Sequence, residues 1–223
     1  MSEYDLSKEE QIQIYEERAE GIEEKNEEKD FLKKYITKVI SLEESRKELL
    51  SNAKGRVLEV AVGRGGNFQF YPSDVEIDAV DFSPTLLKVA KETAIENNIQ
   101  ADFVESDVET LEFEVDSFDT IVSTLTLCAY DNPIEVLDNF NKWCKPAGQI
   151  LLLEHGISSN KLFGWLLNGL LNILDSWHLK NMGCHLNSDI LNIIDKSDIK
   201  VEKLETCLVD THYLILGKPD KKS

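Results

Sequence analysis

The chain has 223 residues, 42% hydrophobic and 30% charged, with 11 Gly and 5 Pro, a size and balance that suit one folded α/β domain and exclude a disordered or fibrous chain. Its 42 acidic side chains against 24 basic ones leave a formal net charge of −18. That charge repels phosphate backbones and anionic lipid headgroups, and no local basic patch offsets it, so nucleic acid is not expected as a partner.

Residues 1–50 read as a helical cap rich in Glu and Lys. Apolar positions fall at Ile12, Ile14 and Tyr15, then with helical spacing at Phe31, Leu32, Tyr35, Ile36, Val39 and Ile40. Gly21 and the charged run after it are the expected divide between two helices. The first residues, MSEYDLSKEEQ, lack the basic start and apolar stretch of a signal peptide. The four cysteines, Cys128, Cys144, Cys184 and Cys207, form no CxxC pair, so reduced thiols in a cytoplasmic protein are expected.

From residue 56, short apolar runs alternate with helical segments. Strands are expected at 57–60, 75–80, 101–105, 118–124 and 149–154, and helices at about 65–70, 84–97 and 133–144. Ser83-Pro84 and Asn132-Pro133 each place a capping side chain before a first-turn proline. Such alternation predicts a parallel, doubly wound sheet. Segments 162–177 and 187–196 then read as helices. Two strands at 201–208 and 212–216, turning at 209–211, form a terminal hairpin. The expected fold is α/β: a Rossmann-like seven-stranded sheet, mostly parallel with a C-terminal antiparallel hairpin, helices on both faces, and residues 51–223 as one unit under the cap.

The longest apolar stretch, 162–174, is broken by Asn and Gly and is too short to span a bilayer. Asn168, Asn172 and Asp175 share one face of that helix. A helix packed on the sheet edge is the favoured reading; an apolar wall for a greasy substrate or a weak membrane-surface contact is the alternative.

The first strand enters a glycine loop, Val57-Leu58-Glu59-Val60-Ala61-Val62-Gly63-Arg64-Gly65-Gly66. Glycine there lets a ligand approach the backbone, and amides are exposed where the following helix begins. The second strand ends at Asp81, whose carboxylate can accept hydrogen bonds from both hydroxyls of a ribose. The two features point to a ligand carrying adenosine at the carboxyl ends of the strands. The plainer alternative is a tight turn with Asp81 as a helix cap.

These residues resemble the first two motifs of class I S-adenosylmethionine (SAM)-dependent methyltransferases. Ser106-Asp107-Val108-Glu109 is similar to the family's third-strand motif. Ser117–Ser123 is similar to its fourth strand, and Trp143-Cys144-Lys145-Pro146-Ala147-Gly148 to the helix end that usually reads L-K-P-G-G. The resemblance implies SAM as cofactor, contacted by Glu59, Ala61, Gly63, Gly65, Asp81, Phe82, Asp107, Val108 and Thr124. Ala61 stands where the family has its first glycine; a positive φ there would strain it. Arg64 replaces a small residue; facing solvent is the favoured reading, and pairing with the methionine carboxylate of SAM is the alternative.

Further stretches, Asn67–Pro72, Ser123–Cys128, Leu153-Glu154-His155-Gly156 and Trp177–Leu186, resemble thiol methyltransferases and, more distantly, quinone and phospholipid methyltransferases. A thiol is the implied acceptor, with a quinone, phenol or lipid-like molecule as alternatives. His155, just past the fifth strand, is the candidate catalytic group. His178, Cys184 and His185 are candidates for the substrate pocket. A zinc site from His155, Cys184 and His185 fits no standard ligand spacing, so no metal is expected, and Cys128 reads as a small buried hydrophobe. Two other functions stand as alternatives: a non-catalytic SAM-binding or partner-binding module, and an NAD-dependent oxidoreductase. The latter is disfavoured because Phe68 falls where GxGxxG needs its last glycine.

Overall fold

The computed structural model describes residues 6–23 and 42–221. Seven strands form one sheet: β1 (Arg56–Val60), β2 (Glu76–Asp81), β3 (Ala101–Glu105), β4 (Phe118–Thr124), β5 (Cys144–His155), β6 (Ile199–Cys207) and β7 (His212–Pro219). Their order is β3-β2-β1-β4-β5-β7-β6. β1 to β5 pair in parallel, and β7 runs antiparallel to both β5 and β6. The order reverses between β1 and β4, the switch point at which open α/β sheets bind ligands. The antiparallel β7, inserted between β5 and β6, separates this sheet from the 3-2-1-4-5-6 order of dinucleotide-binding folds.

Six helices are described: α1 (Lys8–Glu23), α2 (Leu42–Leu50), α3 (Pro84–Glu96), α4 (Pro133–Trp143), α5 (Gly164–Met182) and α6 (Ile190–Lys196). Period-two alternation along the strands feeds two separate cores. Leu58, Ile121, Ile150 and Leu152 point to one face, against Leu137, Phe140, Trp143 and Ile190. Val57, Val122, Leu151 and Leu153 point to the other, with Leu49, Leu50, Leu87 and Ala90. Helices therefore cover both faces, as expected. The anticipated caps form: the Ser83 hydroxyl accepts from the Leu86 amide, and the Asn132 side chain accepts from the Glu135 amide.

The structure departs from the sequence reading in four places. The helix expected at 65–70 is only a 3-10 turn, Phe68–Phe70, because Gly65 is left-handed (φ 74°) and Pro72 follows at once. β5 starts at Cys144 rather than 149, through an irregularity that shifts the register from Phe118↔Cys144 to Thr120↔Gln149. α1 continues through Gly21 to Glu23, and the apolar group at 31–40, Tyr35 included, lies outside the described residues.

The fourth departure concerns α5, which is not packed on the sheet edge by its apolar face. Its polar side chains turn inward. The Asn168 carboxamide accepts from the Ser158 amide (2.6 Å) and donates to the Ser158 carbonyl (3.0 Å). Asn172 accepts from Asn187. Asp175, 4% exposed, accepts from the Leu186 and Asn187 amides. The apolar side chains turn outward: Trp165 and Ile173 are each 77% exposed and Trp177 64%, with Leu162, Phe163, Leu166 and Leu170 also exposed.

Candidate functional site

β1 delivers the chain into the glycine loop at the switch point. Ala61 takes φ 48° there, so the strained alternative applies; an L residue in this region costs roughly 1–2 kcal/mol. Gly63 is also left-handed (φ 57°), and a Cβ added to it would meet nothing within 4 Å, which leaves backbone accessible to a ligand. Asp81, at the end of β2, is 5% exposed. One carboxylate oxygen accepts from the Ser83 amide (2.9 Å) and the other from the Gly63 amide (2.8 Å). Burial pushes its pKa up, while these donors pull it back. The carboxylate is thus held rigidly at the edge of the loop.

A cavity of about 150 Å³ opens here, lined by Ala61, Gly63, Asp81, Phe82, Asp107, Val108 and Thr124. Seven of the nine residues singled out for the cofactor are thereby brought together. Glu59 and Gly65 stand outside this lining. Glu59 is buried, accepts from the Asn67 carboxamide and the Tyr71 hydroxyl, and is pushed by burial up to about 7; its role in this structure is to brace the loop. A Cβ on Gly65 would strike the Phe68 ring at 2.5 Å, so that glycine provides packing clearance.

α1 lies over this cavity and contributes Lys8, Gln11 and Tyr15 to its wall. Lys8 Nζ pairs with Asp107 (3.2 Å) and Glu109 (2.6 Å). The Tyr15 ring meets Phe82 edge-on at 5.5 Å, within the cavity wall. Lys8 and Gln11 carry no sequence signal, because the groups they meet at residues 107, 109, 129 and 183 lie far along the chain.

A second cavity, of about 670 Å³, adjoins the first and includes Cys128, Asp175, His185, Asn187 and Ser188 in its lining. The two share Gln11, Ala129 and Tyr130. Beside the shared wall, three reactive side chains converge. Cys128 sits in the 3-10 turn after β4, His155 ends β5, and Cys184 follows Gly183, the left-handed cap of α5. Cys128 Sγ lies 3.2 Å from His155 Nε2, and one donor atom from each of the three residues lies within 4.8 Å of the others.

The buried Glu154 holds this arrangement in place. Its carboxylate accepts from the Ser123 hydroxyl (2.7 Å) and from the Thr126 (2.8 Å) and Leu127 (3.1 Å) amides, and burial pushes it up to about 7. The turn carrying Cys128 is thereby tied to the end of β5. The hydrogen bond from the Cys128 thiol, with smaller contributions from His155 and His178, lowers Cys184 to about 5 against the effect of burial. Cys128 moves in the opposite direction, its thiol held protonated by Cys184 and by burial. Burial lowers the His155 pKa, but Cys184 and Glu154 outweigh it and leave it raised.

One correction follows, for Cys128. The trio His155, Cys184 and His185 does not converge, because His185 turns to Asp175 (2.8 Å). Cys128 is more than a small hydrophobe, since it completes the cluster in His185's place. Of the pocket candidates, His185 lines the larger cavity, while His178 meets the Cys184 carbonyl at 2.8 Å. The pairing of Cys128 with Cys184 was hidden in the sequence by the long stretch of chain between them.

Known proteins place these features in context. Residues 58–152 match the family described as "Methyltransferase domain". The chain is 29% identical over 202 residues to a mitochondrial methyltransferase of Saccharomyces cerevisiae, covering 81% of this chain but only 42% of that protein. It is 29% identical over 175 residues to a thiol S-methyltransferase of Rattus norvegicus, covering 74% of this chain and 71% of the relative. A geranyl diphosphate C-methyltransferase from Streptomyces coelicolor A3(2), solved with S-adenosyl-L-homocysteine, has the same fold: TM-score 0.64 at 12% identity, over 80% of this chain and 76% of that one.

Proposed function

We propose that the chain is a class I SAM-dependent methyltransferase, as the match of residues 58–152 and the relatives above support, and that it moves the methyl group of SAM to a small thiol held in the larger cavity. The observation that carries this reading is the wall of Gln11, Ala129 and Tyr130 common to both cavities. A nucleoside in one and an acceptor in the other would meet across it.

The residues of the smaller cavity fit the cofactor. Asp81 offers fixed acceptor oxygens to the ribose hydroxyls, Gly63 an accessible backbone, and Phe82 and Val108 apolar walls to the base. Asp107 is the acceptor this reading assigns to the adenine amino group. SAM itself supplies a sulfonium methyl already activated for transfer. The protein's work is then alignment, which supplies up to about 7–11 kcal/mol. A thiolate needs no strong base, so His155 acts as a positioning residue at the acceptor end.

Among the described residues no helix is long and apolar enough to cross a membrane. The outward apolar face of α5 favours a second element of the reading, contact with a neutral lipid surface; the net charge of −18 selects against anionic headgroups. The free thiols suit a reducing, cytoplasmic setting.

Calorimetric titration with S-adenosylhomocysteine and NADH tests the cofactor site. The wild type should bind the first and not the second. Asp81→Ala should weaken binding about 10- to 100-fold, the loss of about 1.5–3 kcal/mol for a charged acceptor. Full affinity in that variant would overturn the cofactor assignment. A panel of thiols, phenols and quinones assayed with SAM tests the acceptor; turnover of the others but of no thiol would overturn that assignment.

A further inference from the structure

Two thiols and an imidazole, drawn from three separate elements, meet at one point beside the acceptor cavity. Their donor atoms lie within 4.8 Å of one another, with 3.2 Å between Cys128 Sγ and His155 Nε2. Around a tetrahedral zinc ion, with bonds of about 2.3 Å to sulfur and 2.0–2.1 Å to nitrogen, such atoms stand roughly 3.5–3.8 Å apart. Small side-chain adjustments bring the three to that spacing. The donor set is borderline-soft, which suits zinc and excludes magnesium or calcium.

The backbone around the ligands is already fixed. The His185 amide donates to the Cys128 carbonyl at 3.0 Å. The Gln11 carboxamide donates to both the Ala129 and Gly183 carbonyls, at 2.6 and 2.9 Å, and so clamps the residues beside the two cysteines. Glu154 fixes the turn of Cys128 against the strand that ends at His155. Ligands held this way lose little freedom when an ion arrives.

We propose that Cys128, His155 and Cys184 form a three-ligand site for a zinc-type divalent cation, whose fourth position takes the acceptor thiol as thiolate. Three protein ligands with one position for an outside ligand is the pattern of catalytic rather than structural zinc. The thiolate role rests on the thiol-methyltransferase reading above; the metal site does not. The acceptor's S–H proton passes to solvent water as its sulfur ligates the cation. A lone pair on that sulfur then forms the new S–CH₃ bond while the sulfonium C–S bond breaks, its electron pair remaining on S-adenosylhomocysteine. The neutral thioether product is a weaker ligand and leaves.

Cobalt substitution tests the site without any turnover. The full chain, reduced and freed of metal, is titrated with Co²⁺ and read by thiolate-to-cobalt charge-transfer absorption in the near ultraviolet and by tetrahedral bands in the visible. One equivalent should saturate both, and zinc should erase them. Cys184→Ser and Cys128→Ser should lose the charge-transfer band or halve it. Cys207→Ser and His185→Ala should keep it in full. Retained S-adenosylhomocysteine binding in Cys184→Ser shows that the variant is folded. A wild type with no tetrahedral bands overturns the metal site, as does an undiminished charge-transfer band in Cys184→Ser, or a Cys128–Cys184 disulfide formed in air by a protein that takes up no cobalt when reduced. Thiol methylation by a metal-free protein would remove the metal and leave the acceptor reading standing. A cobalt site in a protein inert to thiols would do the reverse.

Discussion

α4 and α5 follow one another in the chain and meet the protein with opposite chemistries. α4 buries Val136, Leu137, Phe140 and Trp143, a stripe at helical spacing, and exposes its polar side. α5 buries Gly164, Asp175 and Leu179 and exposes its tryptophans. α4 is held by area removed from water, which is non-directional. α5 is held by carboxamide and carboxylate groups that satisfy backbone donors and acceptors at residues 158, 186 and 187, which is directional. Apolar content alone therefore did not reveal which side of α5 faces in; that depended on which side found partners.

Three substitutions bear on this contrast. Phe140→Ala should cause the largest loss, about 3–5 kcal/mol in urea unfolding, because it opens a cavity in a packed core. Asp175→Ala should cost about 1–3 kcal/mol, since it strands the Leu186 and Asn187 amides; it should also raise the acceptor KM, because Asp175 and His185 line the larger cavity. A loss as large as that of Phe140→Ala would show that α5 is held by the same means as α4. The double change Trp165→Glu, Trp177→Glu should move stability by no more than about 0.5 kcal/mol, while abolishing flotation with phosphatidylcholine vesicles. Strong destabilisation by that pair would mean that the outward face of α5 is buried in solution.

Much of the fold was legible because its determinants are local. Short apolar runs located the strands, Ser83-Pro84 and Asn132-Pro133 located two helix starts, and the turn at 209–211 marked the hairpin. The cofactor residues were legible for the same reason, as most follow directly from a strand end. Ala61 posed a question that sequence could not answer, since the strain depends on a φ angle. The rest depends on distant encounters. Lys8, Gln11 and Tyr15 reach the cavity from the far end of the chain, and Cys128 finds Cys184 only after α5 has folded back. The Asn168, Asn172 and Asp175 face was recognised, but its orientation was not, because the amides it satisfies lie in segments with no periodic signal.

The pair that Lys8 makes with Asp107 and Glu109 bears on how the cofactor binds. The cavity beneath α1 holds about 150 Å³, less than the ~300–1,000 Å³ usual for small-molecule pockets. Lys8 already occupies the carboxylate proposed for adenine. Under that proposal the adenine amino group and Lys8 contend for one carboxylate, and the apparent dissociation constant for the cofactor should be the intrinsic one divided by the fraction of molecules in which Lys8 has given way. Salt weakens the ion pair more than it weakens contacts to a neutral base. Within that balance, raising ionic strength tightens the hold on the cofactor, the reverse of what a site dominated by charge attraction would do.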